Sequence, residues 1–194
     1  MRARPSPAGR AAALGGVVGP VVFVAAWSVL GARTDGYSPT ADAISRLAAS
    51  GAATQTAMTA GFLTYGAGMG LFGAALRPTL RGPAWAFATA TGLATLGVAA
   101  TPLGSPGRDS VHGVFAALGY VTLAAVPLAA AAPLADQGRR RWARLSVAAG
   151  AAAAVCLAAS AAGPRHGLFQ RLGLTIVDVW VVVRAIEIRR RRHP

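Results

Sequence analysis

AAALGGVVGPVVFVAAWSVLGA, residues 11–32, runs for 22 residues without a charged side chain. The hydrocarbon core of a bilayer is about 30 Å thick and takes roughly 20 helical residues to cross. The stretch therefore reads as a transmembrane helix, and it decides the fold class. Arg2, Arg4 and Arg10 in front of it look like the basic leader of a signal peptide. The apolar run, however, exceeds the roughly 7 to 15 residues of such a leader, and Leu30-Gly31-Ala32 makes a poor cleavage site, so the segment is read as a retained span.

Further uncharged runs cover Leu47–Leu76, Gly82–Gly107, Ser110–Ala135 and Leu145–Pro164, and Leu172–Ile188 is interrupted only by Asp178, Arg184 and Glu187. In lipid every backbone amide must be satisfied within the protein. Runs this long without alternation exclude barrel strands. The expectation is a single all-α polytopic membrane bundle of six transmembrane helices, at about 11–32, 56–76, 83–103, 111–135, 145–163 and 170–188. Gly66, Gly70 and Gly73 form a small-residue stripe on the second span, suited to close helix approach. Cys156, the lone cysteine, reads as a small buried apolar group.

Composition excludes two broad classes. Of 194 residues 54% are hydrophobic and 13% charged, against about a quarter charged in soluble domains. All 19 basic residues are Arg; with 6 acidic ones they give a net charge of +13. Nucleic-acid binding wants such charge along an exposed face, whereas here it sits at the ends of uncharged runs. It reads as topological. If the N-terminus is cytoplasmic, the inside segments hold Arg2, Arg4, Arg10, Arg77, Arg81, Arg139–Arg141, Arg144 and Arg189–Arg192, and the outside ones Arg33, Arg46, Arg108, Arg165 and Arg171. That asymmetry places both termini in the cytoplasm, in a plasma membrane whose anionic lipids would meet the basic ends.

The remaining polar chemistry gathers in three segments on the expected outer side. In Tyr37–Leu47, Ser38 and Pro39 read as the start of a short interfacial helix ending near Gly51. Asp42, Ser45 and Arg46 then share one face, with Ile44, Leu47 and Ala48 on the other. In Thr101–Gly113, Asp109 reads as the N-cap of the fourth span and His112 as a neutral imidazole in its first turn. In Gly163–Arg171, His166 and Gln170 are one turn apart. Asp178 follows seven residues after Arg171, about 10 Å deeper on nearly the same face. An acid that far into a span costs on the order of 3 kcal/mol, so it should face the bundle interior; Arg171 is a candidate partner. Arg184, nearer the other end, is expected to snorkel.

These segments resemble the bacterial and archaeal integral-membrane family catalogued as domain of unknown function 998. The matching residues are Tyr37, Pro39, Asp42, Ile44, Ser45 and Leu47 after the first span, His112 and Gly113 at the fourth, and Gly167, Gln170 and Arg171 before the sixth. The resemblance implies a small six-span fold and a membrane location, and carries over no catalytic role.

Three functions remain open. One is binding or transport, with Asp42, Ser45, Arg46, His112, Gln170 and Arg171 holding a polar head group or small solute, Arg46 and Arg171 forking onto an anion, and Asp178 relaying a proton beneath. The second is a membrane hydrolase, with His112, His166 and Asp42 or Asp178 around a metal, or Ser45 as nucleophile. The third is a structural or regulatory subunit. No sequence motif calls for a cofactor.

Overall fold

The structure is a computed structural model that describes residues 6–190. Arg2, Arg4, Arg191 and Arg192 lie outside the described residues. Within them the chain is helical with no strand: α1 (Pro7–Ala12), α2 (Gly15–Ala32), α3 (Gln55–Leu76), α4 (Ala84–Ala100), α5 (Pro106–Asp136), α6 (Arg140–Ala161) and α7 (His166–Arg190), with a short 3₁₀ turn at Ile44–Ala48. Helices α2 to α7 pack side by side in chain order, and α7 returns to α2, closing a ring. Helix α7 also touches α3 and α5 across that ring.

Three helical stretches are long and apolar enough to cross a membrane, Pro7–Ala32, Pro106–Asp136 and Arg140–Ala161, with Ala84–Ala100 a shorter apolar helix. Helix α3 spends five positions on glycine and α7 carries Arg171, Asp178, Arg184 and Glu187. The perimeter is apolar on all six long helices nonetheless. Val21 on α2, Leu71 on α3, Leu93 on α4, Val121 on α5, Val155 on α6 and Val179 on α7 are all exposed. Exposed apolar surface of this extent belongs against lipid, and the chain is a membrane protein.

Several boundaries differ from the sequence reading. The first span breaks at Ala13 and Leu14, which separate α2 from the short α1, whose N-terminus Ser6 caps by accepting from the Gly9 N–H at 3.0 Å. Helix α5 starts at Pro106, five residues early, because Ser105 precedes it in extended conformation and Pro106 presets φ. Asp109 is therefore not the N-cap. It lies in the first turn and accepts from the N–H groups of Gly104 (2.8 Å) and Ser105 (3.2 Å). Helix α6 likewise starts early, at Arg140, its arginines continuing the apolar helix into a charged turn.

The expected interfacial helix is replaced by turns and the 3₁₀ segment. Asp42 accepts from the Ser38 N–H at 2.8 Å, fixing a tight turn, and Ala43 is extended, which stops helical propagation. Ile44 and Leu47, each 1% exposed, face inward as the expected stripe does. The segment is tucked into the end of the bundle as a plug.

Close packing relies on glycine, at two of the three positions singled out from spacing, Gly66 and Gly73, and at others that spacing did not single out. A Cβ on Gly68 would lie 2.6 Å from the Gly15 carbonyl oxygen and 2.9 Å from the Gly19 Cα, so α2 and α3 cross there backbone to backbone. Gly66 meets Gly92 of α4 in the same way and Gly73 meets Trp85 and Thr89, while Gly70 has open space. Between the helices Phe23 packs on Phe62 and Tyr65 with ring centroids 5.3 and 4.9 Å apart. Phe72 meets the edge of Trp180, whose indole N–H donates to Ser146 at 2.9 Å.

At the end of the bundle where α1 begins and α7 ends, Arg184 does not snorkel. It is 1% exposed and paired with Glu187, which also receives Arg139 at 2.7 Å. A buried guanidinium without a carboxylate would be far costlier than this pair.

Candidate functional site

At the opposite end, α7 opens with Gln170 and Arg171 adjacent in sequence and therefore about 100° apart around the helix. Arg171 turns outward to the plug. Its Nη1 donates to the carbonyls of Pro39 (2.7 Å), Asp42 (3.0 Å) and Gly167 (2.9 Å), and its Nη2 donates to the Tyr37 hydroxyl. The guanidinium also lies 5.2 Å from the Trp27 ring centroid and 5.5 Å from that of Tyr37. At 7% exposure it is a clamp on the chain itself. Gly167 makes this possible: a Cβ there would stand 2.4 Å from the Asp42 carbonyl oxygen. The Leu168 N–H adds a bond to the Thr40 carbonyl at 3.0 Å.

Gln170 turns inward. Its Oε1 accepts from the Ile44 N–H of the plug at 2.9 Å and its Nε2 donates to the Tyr120 hydroxyl of α5. Asp178 follows eight residues, or about 12 Å, farther along α7. It is 3% exposed, and Tyr65 of α3, not Arg171, is its partner, donating to Oδ1 at 2.8 Å. The other carboxylate oxygen meets no hydrogen-bond donor among the described residues. All three tyrosines of the chain thus hydrogen-bond to polar residues of one helix: Tyr37 to Arg171, Tyr120 to Gln170 and Tyr65 to Asp178.

Gln170, Tyr120 and Tyr65 line a cavity enclosed by α2, α3, α4, α5, α7 and the plug. Ser45 and His112 join them, and Phe23, Phe62, Phe115 and Leu123 form much of the apolar wall. Thr91 and Thr95 line it too, each hydroxyl donating to a carbonyl of its own helix, of Phe87 and Thr91 respectively, at 2.9 Å. About 60 Å³ is open to the centres of water-sized molecules. At roughly 10–15 Å³ per water, that is room for about four to six waters or one small solute, not a whole phospholipid.

His112 is 6% exposed and its Nδ1 lies 2.7 Å from the Thr101 carbonyl oxygen. A carbonyl only accepts, so Nδ1 carries the proton of that contact. With α5 beginning at Pro106, His112 stands in the second turn rather than the first.

The structure thus brings Ser45, His112, Gln170 and, through Tyr65, Asp178 to one cavity. Asp42 and Arg46 stand outside it, paired with each other at 3.4 Å, the Arg46 side chain 66% exposed. His166 sits apart, its Nδ1 2.6 Å from the Ser160 carbonyl. The residues proposed for a metal are dispersed, and among the described residues no three His, Cys, Asp or Glu side chains converge. Ser45 likewise has no histidine bonded to it. Cys156 is half-buried rather than buried.

Tyr65 and Tyr120 escaped the sequence reading because each stands in an apolar run where an aromatic ring reads as core. The available signal was the hydroxyl, which needs a partner inside lipid. Tyr37, outside the helices, has its hydroxyl pushed above the ordinary phenol value, chiefly by burial and against the pull of Arg171.

No curated protein and no solved structure matches the chain. The family model described as Protein of unknown function (DUF998) matches residues 17–187, nearly the whole length, and the chain belongs to that family.

Proposed function

We propose that this is a six-span plasma-membrane protein, both termini cytoplasmic, that binds a small neutral solute or head group in the cavity beneath its plug. The carrying observation is the chemistry of the lining: serine, threonine, tyrosine, histidine and glutamine, with no charged side chain among the residues that bound it. Arg171, the cation nearest at hand, is committed to three carbonyls and a phenol. An anion would be desolvated in this cavity with no countercharge, at a cost of several kcal/mol. A hydroxyl, carbonyl or amide needs only the Tyr120 and Ser45 hydroxyls as partners. The aromatic wall suits a short apolar body.

Sidedness follows from the arginines. The end where α1 begins and α7 ends holds Arg10, Arg77, Arg81, Arg139–Arg141, Arg144, Arg189 and Arg190, and the plugged end Arg33, Arg46, Arg108, Arg165 and Arg171. The positive-inside bias then puts the plug outside and sets the basic end against anionic lipid.

A matched pair of six-carbon probes tests the binding reading by thermal unfolding in mild detergent. Hexanamide should raise the unfolding temperature and hexanoate should not, and Ala116→Phe, which fills the cavity, should abolish the hexanamide shift. Equal stabilisation by the two, or none by hexanamide, overturns it.

A further inference from the structure

Asp178 is the one carboxylate in the bundle interior between the two polar ends. Its Oδ1 is held by Tyr65, its Oδ2 has no donor among the described residues, and no arginine reaches it. Tyr65 is at once the acid's partner and part of the cavity wall. It stands ten residues into α3, about 15 Å from the plugged end, so it lies deep in the cavity, below Ser45, His112 and Gln170.

We propose that Tyr65 and Asp178 form a proton-binding dyad at the foot of the cavity, so that the cavity takes a proton together with a solute whose head group accepts hydrogen bonds. This rests on the binding reading above. With the carboxylate ionised, the Tyr65 hydroxyl donates to Oδ1 and offers the cavity only lone pairs. When one proton enters through the cavity water and settles on the carboxyl, the acid donates to the tyrosine oxygen. The tyrosine hydrogen then turns toward the cavity. No bond other than O–H forms or breaks, and the single proton comes from bulk water. A carbonyl solute gains a donor by this reversal, and binding it draws the proton in. A lone buried acid is the group from which membrane proteins build proton-linked sites.

The surroundings leave Asp178 as the switching group. From α3 only Tyr65 is titratable; α2 has no ionisable side chain along Gly15–Ala32. Across the cavity α5 presents His112 and Tyr120, the first held by the Thr101 carbonyl and the second by Gln170. Helix α6 carries Cys156 in its apolar length. On α7 itself Arg171 is clamped to the plug and Arg184 is joined to Glu187.

Infrared difference spectra of the full chain in lipid nanodiscs, without any solute, read the dyad directly. Cycling between about pH 5 and about pH 9, a range wide enough for a buried carboxyl, should make the carbonyl stretch of a protonated carboxyl come and go. Asp178→Asn should lose that band and Tyr65→Phe should shift its frequency. A wild-type protein without the band, or a band that survives in Asp178→Asn, overturns the dyad. Hexanamide then tests the coupling: its dissociation constant should rise by up to about tenfold per pH unit across the titration, and Asp178→Asn should flatten that slope. A pH-independent constant in the wild type overturns the coupling. Absence of hexanamide binding with the infrared band present overturns the solute reading and leaves the dyad standing.

Discussion

Arg171 stands where α7, α2 and the plug meet, and its hydrogen bonds substitute for a regular backbone ladder in a segment that has none. The carbonyls of Pro39 and Asp42 are satisfied by its Nη1, and Tyr37 bridges from its Nη2 to the Ala43 carbonyl at 3.1 Å. Replacing it with methionine leaves two loop carbonyls bare, so Arg171→Met should destabilise by about 2–4 kcal/mol, and Arg171→Lys, with a point charge in place of a fork, by about half as much. Unfolding in detergent, followed by tryptophan fluorescence, measures both. Tyr37 adds a pH signature. Its folded-state value is raised above the ordinary 10.0, so its contribution is fully present below about pH 10 and is lost as pH rises above that. Tyr37→Phe should flatten this alkaline decline. The sequence announced Arg171 as important without saying how, because a single arginine before a span looks the same whether it grips a phosphate or its own chain. What separates the two is the set of carbonyls that the Ser38–Asp42 turn delivers to it, and a turn held by Asp42 reaching back to the Ser38 N–H competes at the same residues with the helix that Ser38 and Pro39 would otherwise start.

Among the helices, glycine decides who touches whom. Gly15 and Gly19 on α2 are four apart and Gly68 on α3 fits between them, so the crossing is set by backbone contact that no side chain can enter. Gly68→Ala drives a Cβ against backbone atoms that cannot move aside, and should cost about 1–3 kcal/mol. Gly70→Ala meets nothing within 4 Å and should stabilise α3 by roughly 0.5–1 kcal/mol, since glycine is the poorer helix former. Opposite signs from two substitutions half a turn apart, read by unfolding side by side, test the crossing rather than helix propensity. The spacing of Gly66, Gly70 and Gly73 pointed to α3 as a close-packing helix, correctly for Gly66 and Gly73. Period alone does not tell which face meets which neighbour, however. The Gly15–Gly19 pair has the same four-residue spacing in the sequence, and its role appears only when α2 is laid beside α3.

For the molecule as a whole, the uncharged runs foretold the helices because lipid leaves the backbone no alternative. The cavity was not foretold, because it is made where five helices and the plug fail to fill space and no single run records that. Which side of the membrane that cavity faces is an electrostatic matter. Nine arginines of the described chain stand at the end where α1 begins and α7 ends and five at the plugged end, with Arg184 inside the bundle. Each end also holds an arginine paired with a carboxylate, Arg46 with Asp42 at the plugged end and Arg139 with Glu187 at the other, so the asymmetry survives the pairing. Single cysteines in a Cys156→Ala background report it. Gly51 and Gly138 are suitable positions, since each sits in an exposed turn where an added Cβ meets nothing within 4 Å, although both have positive φ, which adds a small strain to each alike. In intact cells a membrane-impermeant maleimide should label Gly51→Cys readily, and label Gly138→Cys only after the membrane is opened. The reverse pattern would put the plug in the cytoplasm, and the cavity would then draw its solute from inside the cell.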